Sequence, residues 1–428
     1  MSNKTLLLTY CFPPMGTPEA FLCAKLLGNL PDSEVTVHTI GAWKPWMNRD
    51  QSLVQYSSDR FSKINRFTVP GILQKFPLVK QDLKKSHSKK DVPVIRSLKI
   101  LAIRILSPLF KIPDALRVFN RSLLADVLKQ HWEFNNLVTW SQWHSIHLVG
   151  IKLKKTFADT LHWTAYFGDP WIESPYSTNP RIVELINARL QSKVFAMADI
   201  LIFPTAEMRE LALSKYDPSI QAKGKVLGHS FDPILYPKRG ETRTSEKYTF
   251  RYLGQFYGIR TPEIIYDSLA ELFKRRPLLL SSVQIEIIGD NSPLTIGYES
   301  FLTLPQGVVT FLPQVNYLES LRLMTDADCL ISIDAPAKTN VFLSAKVIDY
   351  IGSGTPIVAF TPPGTTREIV QEYGGWVANS NDANEGSIAL EAAITWLSKN
   401  RTSAFGNNEI RSQYESKKVA GNLRALML

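Results

Sequence analysis

The feature that most constrains this 428-residue chain is an alternation of short apolar strands and helices that runs to a break and then restarts. The first unit is a strand at 5–9, a loop F-P-P-M-G-T-P-E-A, a helix at 20–30 and a strand at 34–40. A strand-helix-strand order of this kind implies a parallel, doubly wound α/β sheet covered by helices. Strands at 135–140, 160–167, 199–205 and 225–231 extend it, with helices at 147–155 and 183–198 between them. Periodicity is lost over 232–247, where Pro, Gly and mixed charge mark a linker. It resumes with strands at 248–254, 283–289, 307–312, 329–334 and 356–360 and helices at 262–275, 317–324, 345–351 and 366–373. Two Rossmann-like domains are therefore expected, at 1–235 and 236–405, facing a central cleft. The final segment, 406–428, reads as a helix packing back on the first domain.

Composition narrows the class. At 44% hydrophobic and 21% charged the chain is globular, and it is long enough for two cores. Three scattered cysteines, Cys11, Cys23 and Cys329, argue against a disulfide framework and for a reducing compartment. The first apolar run ends at a Pro pair after a few residues, as a buried strand does, and no stretch of about 18 apolar residues suggests a membrane span.

Forty-nine Lys plus Arg against 39 Asp plus Glu leave a net charge of +10. Thirteen of the cations and only four carboxylates fall within 74–130, so this segment carries nine of the ten net charges. Val94, Ile95, Leu98, Leu101, Ala102, Ile105 and Leu109 recur there at helical spacing, while Arg96 and Lys99 lie opposite among further apolar residues. Such a helix suits an anionic bilayer surface, the alternative being a covered helix with solvated cations. Nucleic acid is disfavoured, because no recognition motif accompanies the charge.

Several residues are candidates for chemistry. Gly16, between Pro14 and Pro18 and just before a helix, either lets backbone amides approach an anion or simply makes a tight turn. In S-A-K-V-I-D-Y-I-G-S-G-T-P-I-V-A, Lys346 and Asp349 are three apart on one face of a short helix. They form either a solvated ion pair or a site where the cation holds a diphosphate and the carboxylate takes two hydrogen bonds from a ribose diol. His144 and His147 stand at a strand-to-helix junction; positioning of sugar hydroxyls suits them better than metal, for which no partner is near in sequence. Asp169, before Pro170 and Trp171, is either an acceptor-side base or a turn cap. Asp326-Ala327-Asp328 has the look of a metal motif but sits where helix capping is expected, and Trp140, Trp143, Trp163 and Trp171 read mainly as core.

These residues resemble the bacterial GT-B glycosyltransferases near glycosyltransferase family 4, of the kind that builds surface polysaccharides. F-P-P-M-G at 12–16, F-G-D-P-W at 167–171, A-D-I-L-I-F-P-T at 198–205 and the 344–359 segment carry the resemblance, which covers most of the chain. It implies that Lys346 contacts the donor diphosphate and Asp349 the ribose. Many members carry a glutamate eight residues before the ribose ligand; here that position is Val341, and backbone amides of Val341, Phe342 and Leu343 are expected to substitute. Y-L-G-Q-F-Y-G-I-R-T-P at 252–262 resembles the donor-domain loop that places cations on the pyrophosphate, making Arg260 the second cation, with Tyr257 and Gly16 also at the donor. Arg260 and Lys346 would stabilise charge developing on the leaving nucleoside diphosphate, and His147 and Asp169 would face the acceptor.

The expected activity is metal-independent, retaining transfer of a sugar from a nucleotide-sugar donor to a glycan acceptor, such as a lipid-linked precursor of surface polysaccharide, with no cofactor. The enzyme would be cytoplasmic and peripheral to the inner face of the membrane. Alternatives are a nucleotide-sugar epimerase or phosphorylase on the same fold, or a non-catalytic glycan-binding subunit.

Overall fold

The computed structural model describes residues 4–41, 48–68, 112–158, 160–172, 174, 179–240, 245–289 and 296–427. The basic helix expected between Val94 and Leu109 lies outside the described residues.

The first domain is built on strands β1 (Lys4–Thr9), β2 (Glu34–Ile40), β3 (Lys63–Phe67), β4 (Asn136–Ser141), β5 (His162–Phe167), β6 (Ile200–Phe203) and β7 (Gly224–Val226). They pair in the order β3-β2-β1-β4-β5-β6-β7, every pair parallel. Strands β1 and β4 are buried along almost their whole length, as central strands covered on both faces must be. The larger helices of this half are α1 (Pro18–Leu27), α2 (Val54–Arg60), α3 (Asn120–Leu128), α4 (Ser145–Thr156), α5 (Arg181–Met197) and α6 (Ala206–Leu213). Helix α1 opens with Thr17 accepting from the Ala20 amide and Pro18 in its first turn.

The second domain repeats the plan. Strands β8 (Tyr248–Leu253), β9 (Val283–Ile288), β10 (Val309–Leu312), β11 (Cys329–Ile333), β12 (Ile357–Phe360) and β13 (Trp376–Ala378) pair in parallel in the order β10-β9-β8-β11-β12-β13. Its larger helices are α7 (Glu263–Arg275), α8 (Tyr317–Thr325), α9 (Ala345–Ser353), α10 (Thr365–Tyr373) and α11 (Ala383–Asn400), followed by α12 (Asn408–Gln413) and α13 (Ser416–Leu426). Helix α9 stops at Gly354, whose φ of 72° is the left-handed cap that glycine adopts without steric cost.

Five of these elements were not anticipated from sequence: helix α2, edge strand β3, helix α3, edge strand β13 and the long helix α11. The expected single C-terminal helix is two, broken at Tyr414–Glu415. The break has a local cause. Phe231 donates to the Tyr414 carbonyl and accepts from the Ser416 amide, so the returning chain pairs with the first interdomain crossing. Helix α13 then lies against α1 of the first domain.

One apolar cluster runs through both domains, joining Phe12, Phe21 and Leu22 to Tyr317, Leu343, Val347, Ile348 and Val419. Among the described residues no helix is long and apolar enough to cross a membrane.

Candidate functional site

In a doubly wound sheet the ligand crevice lies beyond the carboxyl ends of the strands, where the strand order reverses. In the second domain that point is between β8 and β11. The loop after β8 holds Gly254 to Arg260, and the loop after β11 runs from Asp334 to the start of α9 and Lys346. The topology therefore brings Arg260 and Lys346, 86 residues apart in sequence, to one crevice with Asp334.

Lys346 crosses the crevice mouth. Its ammonium donates to the Tyr252 hydroxyl at 3.3 Å and sits 4.7 Å from the centre of that ring. It also lies against Gly254, where a Cβ would come within 2.2 Å of Nζ and where the φ of 138° favours glycine. Burial, with the neighbouring Arg260 guanidinium second, lowers the ammonium to about 7, and Asp334 only partly opposes this. Arg260 donates to the Gln255 carbonyl at 3.0 Å and stacks 4.1 Å over the ring of Tyr257, which is 66% exposed. Its buried Nε has no partner among the described residues, and neither cation makes an ion pair there.

Asp334 offsets the two cations only in part. Its Oδ2 accepts from Asn340 at 2.9 Å and from Thr361 at 2.8 Å, and burial pushes its carboxyl up. Two adjacent cations sharing at most one such carboxylate are electrostatically frustrated, the arrangement that an entering polyanion relieves.

Two groups that the sequence places at this crevice already have partners within the chain. The amide of Phe342 is already capped by Asn340 Oδ1 at 3.0 Å, the Val341 carbonyl accepts from Thr205 of the first domain at 2.8 Å, and Leu343 is buried. Of this stretch, the Phe342 amide and the Val341 carbonyl are thus engaged within the chain, the latter by the first domain. Asp349 is only 7% exposed and meets Lys25 of α1, with Nζ 2.6 Å from Oδ1. The side chain that sequence assigned to a ribose faces another side chain in this closed arrangement.

The facing loops of the first domain also differ from expectation. Gly16 is closely packed, since a Cβ there would lie 3.1 Å from Asp50 and 3.2 Å from Asn48. Its amide donates to the Asn48 carbonyl at 3.0 Å. His147 has no exposed surface, hydrogen bonds Thr139 through Nδ1 at 2.8 Å and packs on Phe167. Burial, reinforced by His144, holds it well below the ordinary imidazole value. It lies under the site, so the expected contact with an acceptor is not present. His144 stacks on Trp171 at 5.1 Å, and burial lowers it to about 3.

Asp169 follows β5, with its carboxyl pushed up by burial. Beside it stands Glu19, in the first turn of α1, which sequence did not single out. Its Oε2 accepts from Trp140 Nε1 at 2.8 Å, and its Oε1 leaves no room for a Cβ on Gly168. Burial, with Asp169 second, pushes Glu19 up to about 8.

The decoys resolve as structure. Asp326 pairs with Arg322, and Asp328 takes Arg401 and the Thr249 amide. Trp140 stacks on Tyr166 at 3.6 Å and Trp163 is fully buried.

No family model and no curated protein matches the sequence. Solved structures do match over the whole chain. The structure of Anabaena Alr3699/HepE in complex with UDP and glucose superposes with a TM-score of 0.61 at 14% identity, covering 99% of this chain and 98% of that one. Sucrose-phosphate synthase from Thermosynechococcus elongatus gives 0.58 at 14% identity, covering 99% and 98%. A putative UDP-N-acetylglucosamine 2-epimerase from Listeria monocytogenes gives 0.54 at 14% identity, covering 99% and 95%. The fold is GT-B. At this identity the likeness speaks for the fold.

Proposed function

We propose that this chain is a glycosyltransferase that takes a nucleotide-sugar donor in the crevice of its second domain. The observation that carries the reading is the pair of adjacent cations, Lys346 and Arg260, which share Asp334 but make no ion pair among the described residues, at the switch point of the β8–β11 sheet. A diphosphate placed between them would satisfy both and return Lys346 to its charged form. Fixed cations at that point favour the leaving group, on which charge grows as the glycosidic bond breaks. Asp349 is the acceptor for the ribose diol once the contact with Lys25 parts, and Tyr257 shields the open side. The HepE and sucrose-phosphate synthase likenesses support a sugar-handling reading, and the UDP in the HepE structure supports a nucleotide donor.

The acceptor side is the mouth of the first sheet, with Asp169 as the base that takes the nucleophile's proton and His147 positioning Phe167 from beneath. We read the acceptor as a glycan on a lipid carrier at an anionic membrane, to which the basic 74–130 segment would hold the enzyme. No metal is required in this account, because the two cations occupy its place, and retention of configuration follows from the resemblance. A second reading, a non-catalytic glycan-binding subunit, draws on the Lys25–Asp349 contact, which fills the ribose position.

The test is donor turnover. With a lipid extract as acceptor, one sugar nucleotide among UDP-, GDP-, ADP- and dTDP-sugars should release its nucleoside diphosphate, at a rate at least a hundredfold lower in Asp169→Asn. Conversion of the sugar nucleotide into an isomeric sugar nucleotide, with no acceptor needed, would favour the epimerase alternative, and neither release nor conversion would favour the non-catalytic one.

A further inference from the structure

Asp349 lies one helical turn along α9 from Lys346, and its carboxylate is already occupied from within the chain. Lys25, deep in α1 of the first domain, places Nζ 2.6 Å from Oδ1. The Tyr317 hydroxyl lies 3.0 and 3.1 Å from the two oxygens, and the Tyr236 hydroxyl 3.2 Å from Oδ1. Lys25 also donates to the Tyr317 hydroxyl at 2.7 Å, and Phe21 stacks on the Tyr317 ring at 4.3 Å. Lys25 is 1% exposed. The group therefore joins the two domains at the base of the cleft and fills the space beside Asp349.

We propose that Lys25 sets the affinity of the donor site by competing with the donor's ribose diol for Asp349. This rests on the donor reading above. Oδ1 already accepts from Lys25, Tyr317 and Tyr236, so a diol that spans both oxygens has no place there until Lys25 leaves, and donor entry requires α1 to part from α9. The exchange is energetically accessible for two reasons. A buried ion pair contributes little net stability, since desolvation of both charges offsets their attraction. When Lys25 leaves, Asp349 is not stranded, because Tyr317 and Tyr236 keep donating to it. The contacts beside the pair belong to the same interface: Asp50 accepts from the Tyr317 amide at 2.7 Å, and Ser52 from the Leu318 amide at 3.3 Å. They open together with it. Lys25 is thus a positioning residue for closure and a competitor for binding.

Calorimetric titration of the full chain with UDP, GDP, ADP and dTDP decides the matter, comparing wild type with Lys25→Met and with Lys25→Gln, which retains a neutral donor to Asp349 and guards against misfolding. The nucleoside diphosphate that binds wild type should bind both variants at least tenfold more tightly. Its 2′,3′-dideoxy analogue, which lacks the diol, should gain nothing. Unchanged or weaker binding of the parent nucleotide, or an equal gain for the analogue, overturns the competition while leaving the donor reading in place. Absence of binding in wild type and both variants overturns the donor reading and the competition with it.

Discussion

Glu19 shows how a single buried group leaves a signature on the whole molecule. Its carboxyl, ordinarily near 4.5, is pushed up to about 8 by burial against Trp140 and the 168–169 turn. Between those two values the folded chain holds a proton that the unfolded chain releases, so this residue's contribution to stability falls as pH rises through that window. Glu19→Gln removes the titration while keeping the shape. The melting temperature of wild type should therefore fall relative to the variant between pH 5 and 8.5, and parallel curves would show that Glu19 is ionised in the fold. The residue scale is also where sequence reading was most uneven. Lys346, Arg260 and Asp349 stood out as candidates because each sits in a short local pattern. Lys25 was not, because its partner is 324 residues away. A signal was nevertheless available. A lone cation in A-F-L-C-A-K-L-L, a helix apolar on every side, has to be buried and so has to be paired. His147 was misassigned for the opposite reason: its place at a strand-to-helix junction was visible, but the layer of Phe167 and Trp171 that covers it was not.

At the scale of elements, close approach between layers governs what can be substituted. Gly150 in α4 faces the indole of Trp163 on β5, and a Cβ there would lie 2.3 Å from the ring. The ring is fully buried and has nowhere to move. Gly150→Ala should cost about 1–3 kcal/mol by overpacking. Gly421→Ala in α13, with open space around it, should be neutral or stabilising by about 0.5–1 kcal/mol through helix propensity. Urea unfolding of the two variants checks the contrast, and equal effects would mean that α4 stands farther from the sheet than described. The alternation of strands and helices was readable throughout because central strands are continuous apolar runs. Helix α11 escaped notice because its first turn is polar and contains Gly386. Its capping was in the sequence all the same: Asp382 accepts from the Glu385 amide, and Glu385 returns to the Asn379 amide. Strand β3, K-I-N-R-F, sits at a sheet edge, where burial imposes too little pattern to read.

For the whole molecule, the two domains meet at more than one place. Lys25 and Asp349 join them near the crossings, while Glu207 of α6 accepts from the Thr365 amide at 2.8 Å and the Thr365 hydroxyl at 2.6 Å near the mouth. Between these contacts lie Lys346 and Arg260. The crevice needs only two cations, whereas most of the net charge of +10 belongs to the 74–130 segment. The central claim is that those cations form a nucleoside-diphosphate site. Its most direct measurement is calorimetric titration of wild type and Lys346→Met with UDP, GDP, ADP and dTDP at several pH values. One nucleotide should bind wild type with proton uptake and lose up to about tenfold in affinity per pH unit above 7, where Lys346 is neutral in the free protein. Lys346→Met should bind it at least a hundredfold more weakly, with no such slope. Binding that survives in Lys346→Met with the same pH dependence would contradict the account.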